Sequence, residues 1–314
     1  MYGTPVVDGD LVYIGSYSGK LLALSPSARS QYLPFPQVRN EEWLYPRTNE
    51  VIGGIVGSAV VDEEAVYVTS SDGSVYSLDK EFGDLNWKSK RLAEEGEEKL
   101  WMSPAVPGDT VYVSTYDGHI YALSAKTGDL LPWAFESESG SFASPPVIYK
   151  DTIFVGSFDN KLYAIKIGDG KPSWNFTGGK WFWAAPVVNE GVVYAGCLDG
   201  KIYALNAETG EALWQFESRD PEGKPVPIVS SPVLMDNLLI VADESGNIYV
   251  FDMNDKPQDK ELVPLKTMSI NAVVKGSFCA QEGIVYIRAQ DNYLYALDID
   301  RGGLDWKLSL TTEE

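Results

Sequence analysis

One short pattern recurs along this chain, and its recurrence restricts the fold more than any other feature. A β-type core reads Val12-Tyr13-Ile14-Gly15, Val66-Tyr67-Val68-Thr69, Val111-Tyr112-Val113-Ser114, Ile153-Phe154-Val155-Gly156, Val193-Tyr194-Ala195-Gly196, Leu239-Ile240-Val241-Ala242 and Val285-Tyr286-Ile287-Arg288, which makes seven copies. Each is followed by a turn pair: Ser18-Gly19, Asp72-Gly73, Asp117-Gly118, Asp159-Asn160, Asp199-Gly200, Ser245-Gly246 or Asp291-Asn292. These residue types tolerate the positive φ of tight hairpin turns. A second core follows in register, as in Tyr203-Ala204-Leu205, and is apolar on both alternating faces. A strand of that kind has to be covered on both sides.

The copy at 185–216 is the cleanest. It divides into four short apolar runs, A to D, separated by Asn189-Glu190-Gly191, Asp199-Gly200 and Glu208-Thr209-Gly210. Consecutive runs with such turns predict a four-stranded antiparallel meander. A period of roughly 40–46 residues is the mark of propellers and arrays. Seven four-stranded units exceed what one open sheet accommodates, and radial repetition solves the problem. The chain is therefore predicted to be all-β, a seven-bladed β-propeller of four-stranded antiparallel blades, with strand A innermost. An eight-bladed ring is the alternative if an upstream segment is missing. No composition shift divides the sequence, so 1–314 reads as a single domain.

The C–D turn ends in Gly83, Gly128, Gly170, Gly210 or Gly302, and a D-strand tryptophan follows at Trp87, Trp133, Trp174, Trp214 and Trp306. The first and sixth copies lack it at that spacing. Their D strands are placed at 32–35 and 261–264, in Pro-rich sequence. Residues 90–99 could form a turn or two of helix, against which Gly96 argues.

The segments at 204–214 and 122–133 resemble the tryptophan-docking repeat, Ala-x-Asp-x-x-Thr-Gly-x-x-x-Trp, of pyrroloquinoline-quinone (PQQ)-like propellers. The copies at 78–87 and 297–306 match with Phe82 or Arg301 in place of Thr. The resemblance covers essentially the whole chain. It implies that the five D-strand tryptophans dock neighbouring blades. It also implies a choice of functions, since the family holds quinone-dependent dehydrogenases, BamB-like envelope assembly lipoproteins and other envelope propellers. An extracytoplasmic location, periplasmic, envelope-associated or secreted, follows from the resemblance alone; no leader is visible at Met1-Tyr2-Gly3.

The residues argue against catalysis. The dehydrogenases use PQQ over Ca²⁺, often beside a vicinal disulfide, and this chain has no Cys-Cys pair and no long pocket-building insertions. Its recurring Asp72, Asp117, Asp159, Asp199 and Asp291 read as turn formers. His119 is the only histidine and reads as an exposed hairpin residue, so a His-based metal site or a Ser-His-Asp triad is not expected. Cys197 and Cys279 follow no metal spacing and read as small buried residues. Asn175-Phe176-Thr177 fits a glycosylation sequon. No cofactor and no metal are expected.

The net charge of −20 opposes nucleic acid and anionic membranes as partners. No window reaches the ~20 apolar residues of a spanning helix. A protein or peptide partner and a monomeric propeller are expected. The D-to-A connections 36–54, 88–100, 134–142 and 217–229 hold the insertions, and loops on a rigid scaffold are where recognition concentrates. Their aromatics, together with the triplet 181–183, form the candidate binding face: Trp43, Tyr45, Trp101, Phe142, Trp181, Phe182 and Trp183. These side chains either pack the channel mouth or form an exposed patch for a partner. The leading reading is a non-catalytic scaffold for protein–protein interaction, BamB-like in its most specific form. The alternatives are a small-molecule-binding or quinone-dependent propeller and a sensor domain of a larger protein.

Overall fold

The alternation of β-branched and aromatic residues with Gly/Asp turns produces strands throughout. The computed structural model describes residues 3–25, 41–92, 100–137, 140–254 and 261–310. Among them are seven consecutive antiparallel sheets and no helix, so the protein is a seven-bladed β-propeller. Six sheets have four strands in chain order; in the third blade, strand A is reduced to the single bridge Ala105–Tyr112. Blade 5 shows the register. Its A strand, Val187–Asn189, pairs with B, Val192–Gly196, which pairs with C, Lys201–Asn206, and then with D, Ala212–Glu217.

By its contacts the chain forms two compact units, Met1–Pro146 with three blades and Val147–Glu314 with four. In each, A strands of successive blades approach one another. A repeated hydroxyl links them: the Thr4 amide donates to Ser58 Oγ (2.7 Å), that of Ser58 to Ser103 Oγ (2.7 Å), and that of Ala185 to Ser231 Oγ (3.2 Å). The core lies between blades, where facing B and C strands bury their side chains, as Phe154, Leu162 and Ala164 do against Val193, Ala195 and Leu205.

The tryptophan docking has a defined geometry. Trp87 Nε1 donates to the Ala125 carbonyl of the next blade (2.7 Å), and Trp174 Nε1 to that of Ala207 (3.1 Å). The indoles lie on Gly128 and Gly210, with φ of 72° and 73°; a Cβ at either would overlap the ring. Glycine is thus required twice over, for its backbone and for its missing side chain. A register shift beside each docking tryptophan sets its direction, as between Ala204 and Leu205. Trp214 is buried; Trp133 packs edge-on against Tyr112; Trp306 packs against Tyr286 and is exposed on its outer side.

Two strand placements are corrected here. The first blade's D strand is Glu41–Tyr45, not 32–35, which lies outside the described residues. Trp43 is its docking tryptophan: Nε1 donates to the Lys80 carbonyl (3.0 Å) and the ring lies on Gly83. The sixth D strand is Lys266–Ser269. Residues 261 and 262 instead run beside blade 5, where Glu261 bridges to Gln215 in parallel and Leu262 packs in the cluster that holds Trp214. Lys266 pairs with Val250, the register position that tryptophan holds elsewhere. Its ammonium reaches the carbonyls of Ile299 (2.6 Å) and Asp300 (2.8 Å), so a cation satisfies the turn that an indole N–H satisfies in other blades. The helical turn expected at 90–99 falls mainly on residues outside those described.

Candidate functional site

The end of each blade that carries the B–C turn is tied to the connections on either side by a repeated pair of backbone hydrogen bonds. The Phe182 amide donates to the Ser157 carbonyl of blade 4 (3.4 Å), and the Leu198 amide of blade 5 donates to the Trp181 carbonyl (3.0 Å). The same pair recurs as Ile55 to Ser16 with Ser71 to Gly54, and as Ile228 to Cys197 with Glu244 to Pro227. The repeat therefore sorts the side chains of the connection. One position is a buried plug, occupied by Ile55, Leu100, Phe142, Phe182, Ile228 and Val274. Where described, the residue before the plug faces outward or lies half-buried; the one after it varies, buried as Val56 and Ala143, half-buried as Trp101, Trp183 and Val229, or exposed as Lys275.

Phe142 and Phe182 are consequently fully buried, at 0% exposure: Phe142 packs against Phe135, and Phe182 belongs to the core between blades 4 and 5. Trp43, at 5%, is likewise buried by its docking role. Tyr45 is half-buried at the end of the same strand, tilted against Tyr76 at 6.2 Å, and burial together with the charges of Asp72 and Glu50 pushes its phenol up. Three of the expected residues remain at the turn end of their blades. Trp101 and Trp183 hold the same position, one residue after the plug, and Trp181 holds the one before it.

The structure groups them with aromatics that the repeat pattern did not single out. In the second unit, Phe158 of the blade 4 B–C turn packs edge-on against Trp181 (4.9 Å between centroids) and Trp183 (5.5 Å), both at 80°. Trp181 is 44% exposed, an unusual state for so large an apolar ring. In the first unit, Trp101 packs against Tyr116 of the blade 3 turn at 5.7 Å, and Tyr116 is 43% exposed. Tyr17 projects from the equivalent turn of blade 1. Tyr17, Tyr116 and Phe158 occupy one repeat position, just before the turn Asp or Ser, where other blades carry Ser71, Leu198, Glu244 and Gln290. Aromatic content at a position with no shared identity was the available signal.

The aspartates of the same turns have a structural task. Asp199 Oδ1 accepts the Lys201 amide (3.0 Å), while Oδ2 accepts the Tyr203 hydroxyl (2.7 Å) and the Gly179 amide (2.9 Å). Asp72 with Tyr76, Asp159 with Tyr163 and Asp291 with Tyr295 repeat the hydroxyl contact at 2.5 Å. Burial and the carboxylate push the Tyr76 and Tyr203 phenols well up; the hydrogen bond that Tyr295 donates to Asp291, then burial, takes its phenol up to about 12. Burial opposes ionisation of Asp72, but the hydrogen bonds from Tyr76, Lys88, Ser70 and the Ser74 amide outweigh it and hold its carboxyl below the ordinary value.

Blade 6 exchanges the order of this motif. Ser245 stands where five other blades have Asp, and the fully buried Asp243 stands where the others have Ser, Thr, Cys or Ala. Tyr249 still finds a carboxylate, Asp243 Oδ2 at 3.1 Å, which also accepts Ser218 Oγ (2.7 Å) and Asn247 Nδ2 (2.9 Å). A buried polar group is stable only with such partners.

The cysteines divide. Cys197 is buried, its thiol donating to the Lys180 carbonyl (3.2 Å), and burial, with the charge of Asp199, pushes it up to about 12. Cys279 is exposed in strand Cys279–Gln281, contrary to expectation, because its side chain falls on the outward face between the buried Phe278 and half-buried Ala280. His119 is half-buried rather than exposed: it stacks on Tyr121 at 5.5 Å and Nδ1 lies 3.3 Å from Asp117.

A quinone–calcium centre does not fit these residues. Ca²⁺ takes six to eight oxygen ligands, whereas among the described residues no three His, Cys, Asp or Glu side chains come together as a metal site. Asp72, Asp159, Asp199 and Asp291 are engaged by tyrosine hydroxyls and turn amides. Asn175 is exposed on strand Pro172–Thr177. No described helix is long and apolar enough to cross a membrane.

Comparison with known proteins places this architecture. Among solved structures, BamB from Moraxella catarrhalis aligns over 98% of this chain and 85% of its own, at 17% identity and a TM-score of 0.70. The computationally designed Ika8 protein aligns over 99% and 87%, at 16% and 0.71. A europium-containing methanol dehydrogenase aligns over 99% and 78%, at 14% and 0.75. At such identities these likenesses establish the shared fold and nothing further. A search of curated protein sequences finds no match. The family model described as outer membrane protein assembly factor BamB matches residues 1–89, 39–141 and 131–262. With seven antiparallel blades, six of which carry a D-strand tryptophan, that match makes the chain a member of the PQQ-like propeller family of the outer membrane protein assembly factor BamB.

Proposed function

We propose that this protein is a non-catalytic, extracytoplasmic scaffold that binds a protein or peptide partner through the turn end of its blades. The observation that carries this reading is the aromatic group of Phe158, Trp181 and Trp183. It is built from residues the blades do not share, and its outer ring is exposed beside a rigid, hydrogen-bonded loop. Trp101 with Tyr116 supports it independently in the other unit. Aromatic anchors are the residues most enriched at binding hot spots. Family membership supports envelope localisation and a role in protein assembly.

The account predicts that affinity capture from a membrane-envelope extract retains a stoichiometric partner on the wild-type protein. Trp101→Ala/Trp181→Ala should lose it while keeping the wild-type circular dichroism spectrum and melting temperature. Equal retention by both proteins would contradict the reading. So would turnover of an alcohol or sugar after reconstitution with PQQ and Ca²⁺, because the quinone-dependent alternative would then hold.

A further inference from the structure

Lysines of this protein lie over several of its buried and half-buried tyrosine rings. Lys88 lies over Tyr76 (5.1 Å to the centroid), Lys150 over Tyr149 (5.2 Å), Lys161 over Tyr163 (5.8 Å), Lys201 over Tyr203 (5.9 Å) and Lys307 over Tyr293 (4.7 Å). Trp181 differs from these rings in being exposed, as Tyr17, Phe82 and Trp306 also are. Indole is the best cation acceptor among the aromatic side chains, yet among the described residues no Lys or Arg lies over Trp181, although Lys180 is its neighbour in sequence. Its contact is on one side, edge-on against Phe158, and 44% of it remains open.

Phe158 is held between Trp181 and Trp183, and the Trp181 backbone carbonyl is tied to Leu198. The ring is therefore preorganised, so a ligand would spend little conformational entropy in meeting it. The charge of the whole molecule points the same way. With 45 acidic against 25 basic residues, it attracts cations and repels anions at long range.

We propose that Trp181, backed by Phe158 and Trp183, is the receptor for a lysine or arginine side chain carried on an extended, basic segment of the partner polypeptide. The proposal rests on the reading that this end of the blades binds a polypeptide, and it names the chemistry of the segment bound. Net charge supplies the encounter; the indole face supplies the local preference for a cation over a neutral side chain of the same shape.

The test separates those two contributions. A fluorescein-labelled peptide alternating Arg with Gly-Ser, and its citrulline counterpart, are titrated by anisotropy against the full chain at about 0.15 M salt, where the Debye length is about 8 Å. Trp181→Leu leaves net charge unchanged, so general attraction is preserved. An exposed cation–π contact corresponds to about a two- to fivefold change in affinity. The Arg peptide should weaken by that factor on Trp181→Leu and by less on Trp181→Phe, and the citrulline peptide should not discriminate among the three proteins. Unchanged binding of the Arg peptide by Trp181→Leu would overturn the proposal, leaving adventitious charge attraction only. An equal loss for the citrulline peptide would overturn it too, making the ring a general apolar contact. Either outcome would leave the capture experiment above to decide the broader reading on its own.

Discussion

A single residue type, the turn aspartate, shows how this chain commits acidic side chains to holding its blades. Asp72, Asp159, Asp199 and Asp291 each hold their turn through a backbone amide and the following strand through a tyrosine hydroxyl, as Asp199 does with Lys201 and Tyr203. Blade 6 exchanges Asp and Ser between two positions, yet Tyr249 keeps its carboxylate partner. Blade 1 has Ser18 in place of the acid and Leu22 in place of the tyrosine, so acid and phenol are absent together. A hydrogen bond to a charged group contributes about 1.5–3 kcal/mol, and Tyr203→Phe should reduce unfolding free energy by that order at pH 7. The pH dependence follows from the raised phenol. Its native value lies above the ordinary 10.0, so its contribution is complete below pH 10 and is lost as pH rises through the native value. Denaturant titrations at pH 7, 9 and 11 should show a constant gap between wild type and variant at the first two and a smaller gap at the third. A gap that widens with pH would contradict the assignment.

At the scale of the element, the blade is held to its neighbour by one indole on one glycine. Removing a buried tryptophan costs about 3–5 kcal/mol. Trp87→Ala should lose that amount in equilibrium unfolding, and Gly128→Ala should also be destabilising, because its Cβ would meet the same ring from the other side. Lys266→Ala should cost less, about 1–3 kcal/mol, from the Ile299 and Asp300 carbonyls it leaves unpaired. If Lys266→Ala were neutral, the lysine would not be substituting for the indole. Most of the strands are legible in the sequence, because alternating faces and Gly/Asp turns leave few other placements. The first and sixth D strands are not. Trp43 lacks the Thr-Gly spacing that marks its counterparts, and Lys266 satisfies the same carbonyl with different chemistry, which no search for tryptophan finds. The misplaced segment at 261 and 262 is extended, but it runs along blade 5 instead of its own blade.

Over the whole molecule, the residues the blades share build the fold, and those they do not share supply the candidate surface. Part of that surface was visible beforehand: Trp101, Trp181 and Trp183 stand out as unrepeated aromatics. Their partners Tyr116 and Phe158 did not, because a single residue inside a turn carries no periodicity. Phe142 and Phe182 take the packing alternative that the sequence left open, for a related reason. Sequence spacing places them beside exposed tryptophans, but a shift of one residue along the connection moves a side chain from the outer surface into the core. The same reasoning separates two exposed aromatic regions in the folded protein, the turn-end groups and the D-strand stripe of Leu304, Trp306 and Leu308. Hydroxyl-radical footprinting of the free protein and of the protein captured with its partner distinguishes them. The expected result is protection of Trp181, Trp101 and Tyr116 on binding, with Trp306 and Leu308 labelled equally in both states; protection of the D-strand stripe with unchanged labelling of Trp181 would contradict a partner site at the turn end of the blades.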